Sequence, residues 1–183
     1  MLTRRKPELE DIIYAASALD CEGNVSLSRR YNGTVPSWTL KVGIANTNPA
    51  LTDFLLSCFR GHVHTEAPVK LSKRIIYRWQ IHAANAADFL RIVFPYLKLK
   101  KAQAELGLFF QENRKCLDLS QQAEVYERIK SLNKGEAPAE TKRVNGERNP
   151  QSDSPILKET LDDLIARWRA STTQRPCRTN SEA

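Results

Sequence analysis

Apolar positions along the chain change period several times, and each change marks an element. Pro7 and three acids (Glu8, Glu10, Asp11) precede a run through Ile12, Ile13, Tyr14, Ala15, Ala16, Ala18 and Leu19. Proline and acids suit a helix start, where one N–H is unpaired anyway and the dipole favours negative charge, so residues 8–21 read as a helix. Gly23 follows and is predicted to end it in the left-handed conformation. Period two then takes over. Val25, Leu27 and Arg29 share one face of residues 24–31, and Ser26, Ser28 and Arg30 the other. Asn32-Gly33 signals a hairpin turn, and Pro36 predicts a lengthened connection. A second strand over 37–45 points Trp38, Leu40, Val42 and Ile44 inward and Ser37, Thr39, Lys41 and Gly43 outward.

Asn46-Thr47-Asn48-Pro49 closes that strand and opens a helix over 49–60, with Gly61 as its stop. A short strand over 62–66, a turn region over 67–73 and a strand over 75–83 come next. The last of these sets Tyr77, Trp79 and Ile81 against Arg78, Gln80 and His82. Helices are predicted over 84–96 and 97–113. The order helix, two strands, helix, two strands, helix predicts an α+β fold (αββαββα). It is a four-stranded antiparallel sheet with helices on one face and a polar, basic other face. Trp38 and Trp79 fall with the apolar set and read as core.

Residues 1–113 form the predicted core, 114–169 a helical extension and 170–183 a disordered tail. Within the extension, 121–132 and 155–169 read as amphipathic helices. The loop over 134–154 carries Lys142-Arg143. Cys21, Cys58, Cys116 and Cys177 are widely spaced with no Cys-x-x-Cys pair, which predicts reduced thiols inside a cell and argues against a structural zinc site. No stretch reaches the roughly 18 to 20 apolar residues of a membrane span. Arg4-Arg5-Lys6 is not followed by the pattern of a secretory signal.

Charge becomes informative when located. The net charge is +7, and residues 24–83 alone hold 8 Lys/Arg and 2 Asp/Glu, a net +6 on the segment that reads mostly as strands. Such a concentration is the footprint of a polyanion binder. The first helix is the oddity. It ends in Asp20 and Glu22, where the dipole disfavours carboxylates, so these acids need a cause such as a metal ion.

The stretch Ala15-Ala16-Ser17-Ala18-Leu19-Asp20-Cys21-Glu22-Gly23 resembles the signature of the LAGLIDADG homing endonucleases, with Ala16, Asp20 and Gly23 identical and Glu22 standing for the commoner Asp. The run Pro95-Tyr96-Leu97-Lys98-Leu99-Lys100-Lys101-Ala102-Gln103-Ala104-Glu105 resembles the start of the long helix in single-motif chloroplast members. The resemblance implies a curved, saddle-like sheet over DNA and a homodimer paired through the helix that ends at Glu22. It further implies a Mg²⁺ site at Glu22 and a double-strand break in a long pseudo-palindromic target. Lys100 maps to the family's catalytic base or charge stabiliser. Asn46, or Thr47 one residue on, maps to the polar residue that orders water. Asp20 reads as structural, and Lys98 and Lys101 as solvated charges.

For DNA contacts, alternation selects Ser26, Ser28, Arg30, Asn32, Thr39, Lys41, Arg78 and Gln80, and charge adds Lys70 and Arg74. His62 and His64 share a face and read as DNA contacts or surface rather than as a metal pair. The expected setting is intracellular, in a bacterial or phage-host cytoplasm or in an organelle (chloroplast or mitochondrion), where the family's genes lie in introns or inteins. The competing expectation is a DNA-binding or intron RNA-splicing (maturase) protein on the same fold without cleavage. Retention of Glu22 and Lys100 weighs against it, since binding alone needs neither.

Overall fold

The computed structural model describes residues 5–67, 74–135 and 160–173. The chain divides into two compact units, residues 1–139 and 140–183. In the first, α1 (Leu9–Glu22) leads into β1 (Gly23–Asn32) and β2 (Val35–Asn46). Next come α2 (Pro49–Cys58), β3 (His62–Glu66), β4 (Ile76–His82) and α3 (Ala83–Val93), then a 3₁₀ turn (Phe94–Tyr96), α4 (Lys101–Asn113) and α5 (Leu119–Asn133). In the second unit the described element is α6 (Leu161–Thr173). No helix among the described residues is long and apolar enough to cross a membrane.

The four strands form one antiparallel sheet in the order β1-β2-β4-β3. Its apolar face is covered by helices, and the core gathers Leu19, Leu40, Ile44, Leu55, Trp79, Leu90, Phe109 and Phe110 at the centre. The inward set of β2 is buried as alternation requires: Trp38, Leu40, Val42 and Ile44. The expected α+β architecture is therefore the observed one. α5 adds a cover along β1, where the Asn133 carboxamide donates to the Val25 carbonyl at 2.8 Å. Asp118 and Gln121 start α5 with a reciprocal capping box.

Several local expectations need correction. Asn32 pairs with Val35, so the turn is the two residues Gly33 and Thr34, with Gly33 at φ +64. Pro36 does not lengthen it. It pairs opposite Tyr31, where β2 has no second neighbour, because β4 joins β2 only from Lys41 to Asn46. A proline there removes no ladder hydrogen bond. α2 ends at Cys58 rather than at Gly61, which takes φ +137 beside the Trp79 ring. Residues 97–100 are not helical: Leu97 is extended and α4 starts at Lys101. α6 runs on to Thr173, into the predicted disordered tail, while 155–159 of the predicted helix and nearly all of the 134–154 loop lie outside the described residues.

Gly23 is the most instructive correction. Its φ of −97 and ψ of 171 are extended and open to any residue, so left-handed geometry does not explain it. The reason is space. A Cβ on Gly23 would lie 2.6 Å from the Leu19 carbonyl oxygen and 2.8 Å from the Leu19 Cα. That oxygen accepts the Gly23 N–H, and as backbone it has no rotamer to escape to. Gly23 lets the chain pass from helix to strand without a loop.

Gly23→Ala is accordingly expected to destabilise the protein by about 1–3 kcal/mol, the range for overpacking a tight site. Urea unfolding should show a lower midpoint at unchanged slope. An unchanged midpoint would show that the helix-to-strand junction has slack.

Candidate active site and polar sheet face

The end of α1 meets the start of α4. The Asp20 side chain is nearly buried, at 7% exposure. Its two oxygens accept the backbone N–H groups of Lys98 at 2.7 Å and Lys100 at 2.9 Å. In return the Lys100 ammonium donates to the Asp20 carbonyl oxygen at 2.5 Å. The exchange satisfies both helices. A carboxylate sits at the positive N-terminus of α4, which has no side-chain cap of its own, and an ammonium sits at the negative C-terminus of α1. The acid that looked misplaced in the sequence serves the other helix, so for Asp20 no metal is needed as a cause.

Glu22, the last residue of α1, is exposed, and no hydrogen bond or ion pair engages it among the described residues. Gly23 opposite Ile44 places Asn46, two residues further along β2, at the same end of the sheet. The Asn46 Oδ1 accepts the Asn48 N–H at 2.8 Å, which leaves its NH₂ group to other partners. Thr47 is exposed just beyond. Glu22, Asn46 and Lys100 thus come from three distant segments to one corner. Among the described residues, no group of three or more His, Cys, Asp or Glu that could hold a metal exists in the chain. The donor chemistry nevertheless suits Mg²⁺ bound partly by substrate, because that ion commonly takes one or two carboxylates together with phosphate oxygens.

The small residues of α1 do not form an outer face. Ala15, Ala16 and Ala18 are buried within the chain's own core. What α1 exposes at helical spacing is Ile13, Tyr14, Ser17 and Cys21, with Ile13 at 43% and Tyr14 at 53% exposure. The small residues are therefore not what α1 offers to a second helix.

The solvent face of the sheet carries most of the alternation-selected set. Ser26 stands opposite Lys41, which stands opposite His82; Ser28 faces Thr39; Arg30 faces Ser37. Arg30 is exposed, and Ser26, Ser28, Thr39 and Lys41 are half-buried. Two members differ from expectation. Gln80 lies between Gly43 and His62 at 9% exposure, so its neighbours close over it. Arg78 forms a two-pronged pair with Glu66, at 2.7 and 3.1 Å. This holds the Glu66 carboxyl below its usual range and the Arg78 guanidinium above its own. Lys70 and the Asn32 side chain lie outside the described residues, and Arg74 is exposed at the end of the β3–β4 connection.

Two features escaped the sequence reading. Arg29, on the apolar face of β1, lies over the Tyr31 and Tyr126 rings at 5.3 and 5.7 Å, tying β1 to α5. A cleft of about 290 Å³, also lined by Tyr126, opens between Asn24 and Ser26 of β1 and Lys130 of α5 with Lys134 just past its end. The second is a histidine row. The His62 ring stacks on His82 (centroids 5.6 Å, 9° between planes) and lies 6.2 Å from His64. Burial, then Lys41, His62 and Arg30, pushes the His82 imidazole below its ordinary range. The even-numbered alternation of β4 and the two-residue spacing of His62 and His64 hinted at it, but only strand order joins the pieces.

No protein-family model and no curated protein matches this sequence. Solved structures do match in fold. The homing endonuclease I-CvuI, in complex with the I-CreI target in the presence of Mg and with its DNA not cleaved, is 12% identical with a TM-score of 0.54 over 89% of this chain and 97% of that one. I-CvuI with its own target and Ca gives 15% identity and a TM-score of 0.53 over 87% and 97%. The I-SmaMI LAGLIDADG homing endonuclease bound to cleaved DNA gives 14% identity and a TM-score of 0.50, with 80% of this chain covering 55% of that one.

The Asp20 clamp makes a graded prediction. Asp20→Ala strands two amides beside a buried site and should cost on the order of 2–3 kcal/mol, whereas Asp20→Asn keeps one acceptor and should cost about half as much. Chemical denaturation of the two variants against wild type gives the comparison. Equal stability of all three would mean that the α1–α4 junction does not depend on this carboxylate.

Proposed function

We propose, from the premise that this chain has the fold of the LAGLIDADG homing endonucleases, that it is a site-specific endonuclease that acts as a homodimer and cuts both strands of duplex DNA. The observation that carries the reading is the Asp20–Lys100 exchange. It leaves Glu22 exposed and holds Lys100 one helix end away, at the rim of a basic, polar sheet face. A protein that only bound nucleic acid would not need the exposed Glu22 carboxylate beside this junction.

The chemistry follows from charge. Two copies meeting through Ile13, Tyr14, Ser17 and Cys21 bring their Glu22 carboxylates towards one axis. Like charges so placed repel unless a cation lies between them. Glu22 from each copy, with DNA phosphate oxygens, would hold Mg²⁺. The ion supplies positive charge beside the phosphate and makes water a stronger nucleophile at neutral pH. Lys100 adds a fixed positive charge where negative charge grows on the phosphoryl oxygens. Asn46 uses only its carbonyl oxygen in the turn, so its NH₂ group remains to orient the attacking water. Ser26, Ser28, Arg30, Thr39 and Lys41 face the duplex, the hydroxyls reading base edges and the cations meeting guanine edges or phosphates.

Two experiments test this. In a randomised duplex library with Mg²⁺, wild type should cut at a discrete, two-fold-related site. Glu22→Gln should select the same site while cutting at least about 10³-fold more slowly, the scale for a group that acts in the transition state. If neither protein cuts and both select a sequence, the chain is a binder on this fold and the cleavage reading is lost. For the dimer, Ser17→Arg should raise the dissociation constant at least about tenfold, since two buried arginines would face each other without partners. Sedimentation with the duplex present reads this, and an unaffected dimer would move the contact away from α1.

A further inference from the structure

The three histidines of the chain are 62, 64 and 82 in sequence, yet all lie on the polar face of the sheet. His62 and His64 belong to edge strand β3 and His82 to the end of β4. The His62 and His82 rings are parallel and stacked, and His64 continues the row. None of the three makes a metal-ligand group with other His, Cys, Asp or Glu side chains among the described residues. We propose that His62, His64 and His82 form a titratable strip that meets the duplex in protonated form, so that DNA binding takes up protons. This rests on the DNA-facing role given to the sheet above and names how that face is regulated and completed.

The physical argument is one of sign. The His82 end of the strip is flanked by positive charge. His82 faces Lys41 across the β2–β4 pairing, feels Arg30 from β1, and stacks on His62 from β3. His64 stands opposite Arg78, and the Glu66 carboxylate nearest to it, at 3.7 Å, is already committed to that arginine. In the free protein partial burial, then Lys41, His62 and Arg30, holds the His82 imidazole below its ordinary range. A neutral imidazole donates from one nitrogen only, whereas the protonated ring donates from both. A duplex laid on the face reverses the field at His82, because its phosphates more than balance Lys41 and Arg30. Protonation then becomes favourable and creates donors for phosphate oxygens or for the O6 and N7 acceptors of guanine. Binding that takes up protons strengthens as pH falls through the imidazole range.

The test uses the full-length protein with a chelator present, so that nothing is cut. The probe is a mixed-sequence duplex of about 40 base pairs, longer than the few helical turns that one such face can span. Anisotropy titrations at fixed ionic strength run from about pH 8 to about pH 5.5, the range in which imidazole changes charge. Wild-type affinity is expected to rise at least about tenfold on acidification, as one or more linked protons require. The triple variant His62→Gln/His64→Gln/His82→Gln should lose most of that rise. The double variant His62→Gln/His64→Gln, which leaves the half-buried His82 in place, should keep part of it and guards against a folding defect in the triple. Imidazole C2–H resonances should also titrate at higher pH with duplex bound than without.

A pH dependence unchanged in both variants, or imidazole titrations unmoved by DNA, would overturn the strip while leaving the DNA reading intact. Failure of wild type to bind duplex at any pH would overturn both. If the strip is supported, salt titration at about pH 6 assigns its targets. Phosphate contacts lower the salt slope by about 0.9 each when removed, and guanine contacts change sequence preference instead.

Discussion

Two helix ends of opposite polarity are held together by exchanging charge, and the corner where α1 meets α4 depends on it. The C-terminus of α1 presents unpaired carbonyls and the N-terminus of α4 presents unpaired amides. Asp20 reaches across to the amides of Lys98 and Lys100, and Lys100 reaches back to the Asp20 carbonyl. Leu97 is extended and α4 starts at Lys101, so these amides precede the helix and take Asp20 as their acceptor. The same contact sets the direction in which α1 stops, so the next carboxylate, Glu22, leaves the core. One buried acid organises the junction and the following one is exposed.

The sheet carries a comparable division of labour. Its apolar face is buried under helices and its polar face is left for a partner, but the polar face is not uniformly positive. At the β3 end, Glu66 neutralises Arg78. At the β1 and β2 end, Arg30 and Lys41 keep their charge beside His82. The two sheet edges are also managed differently. α5 covers part of β1 through Asn133 and the Arg29–Tyr126 contact. β3 is only five residues long and carries His62, His64 and Glu66, so it offers little to a foreign strand.

The fold was largely legible before any coordinates. Alternation in Val25–Leu27 and in Trp38–Leu40–Val42–Ile44 marks a half-buried strand because successive side chains alternate faces whatever the partner. The break at Pro49 and the capping stretch Asn46 to Asn48 act through neighbours a few residues away. What failed was equally local in appearance but not in cause. Gly23 looked like a left-handed cap and is instead a matter of Leu19's backbone standing in the way. The run 97–100 looked helical because nothing nearby shows where its amides go. Arg78 and Gln80 sit on the polar face as alternation predicts, but only the neighbouring strand β3 shows that one is paired and the other covered.

The sequence by itself determined the order of elements, the two faces of the sheet and the basic excess on the strand segment. These depend on periodicity, propensity and charge, which are properties of short stretches. The tertiary structure alone decided that Asp20 serves α4, that Ala15, Ala16 and Ala18 face inward while Ile13 and Ser17 face out, and that three histidines share one row. Each is a pairing between segments far apart in the chain, 78 and 80 residues for Asp20 and its two amides. Such pairings are fixed by strand order and helix packing, and no local pattern encodes them.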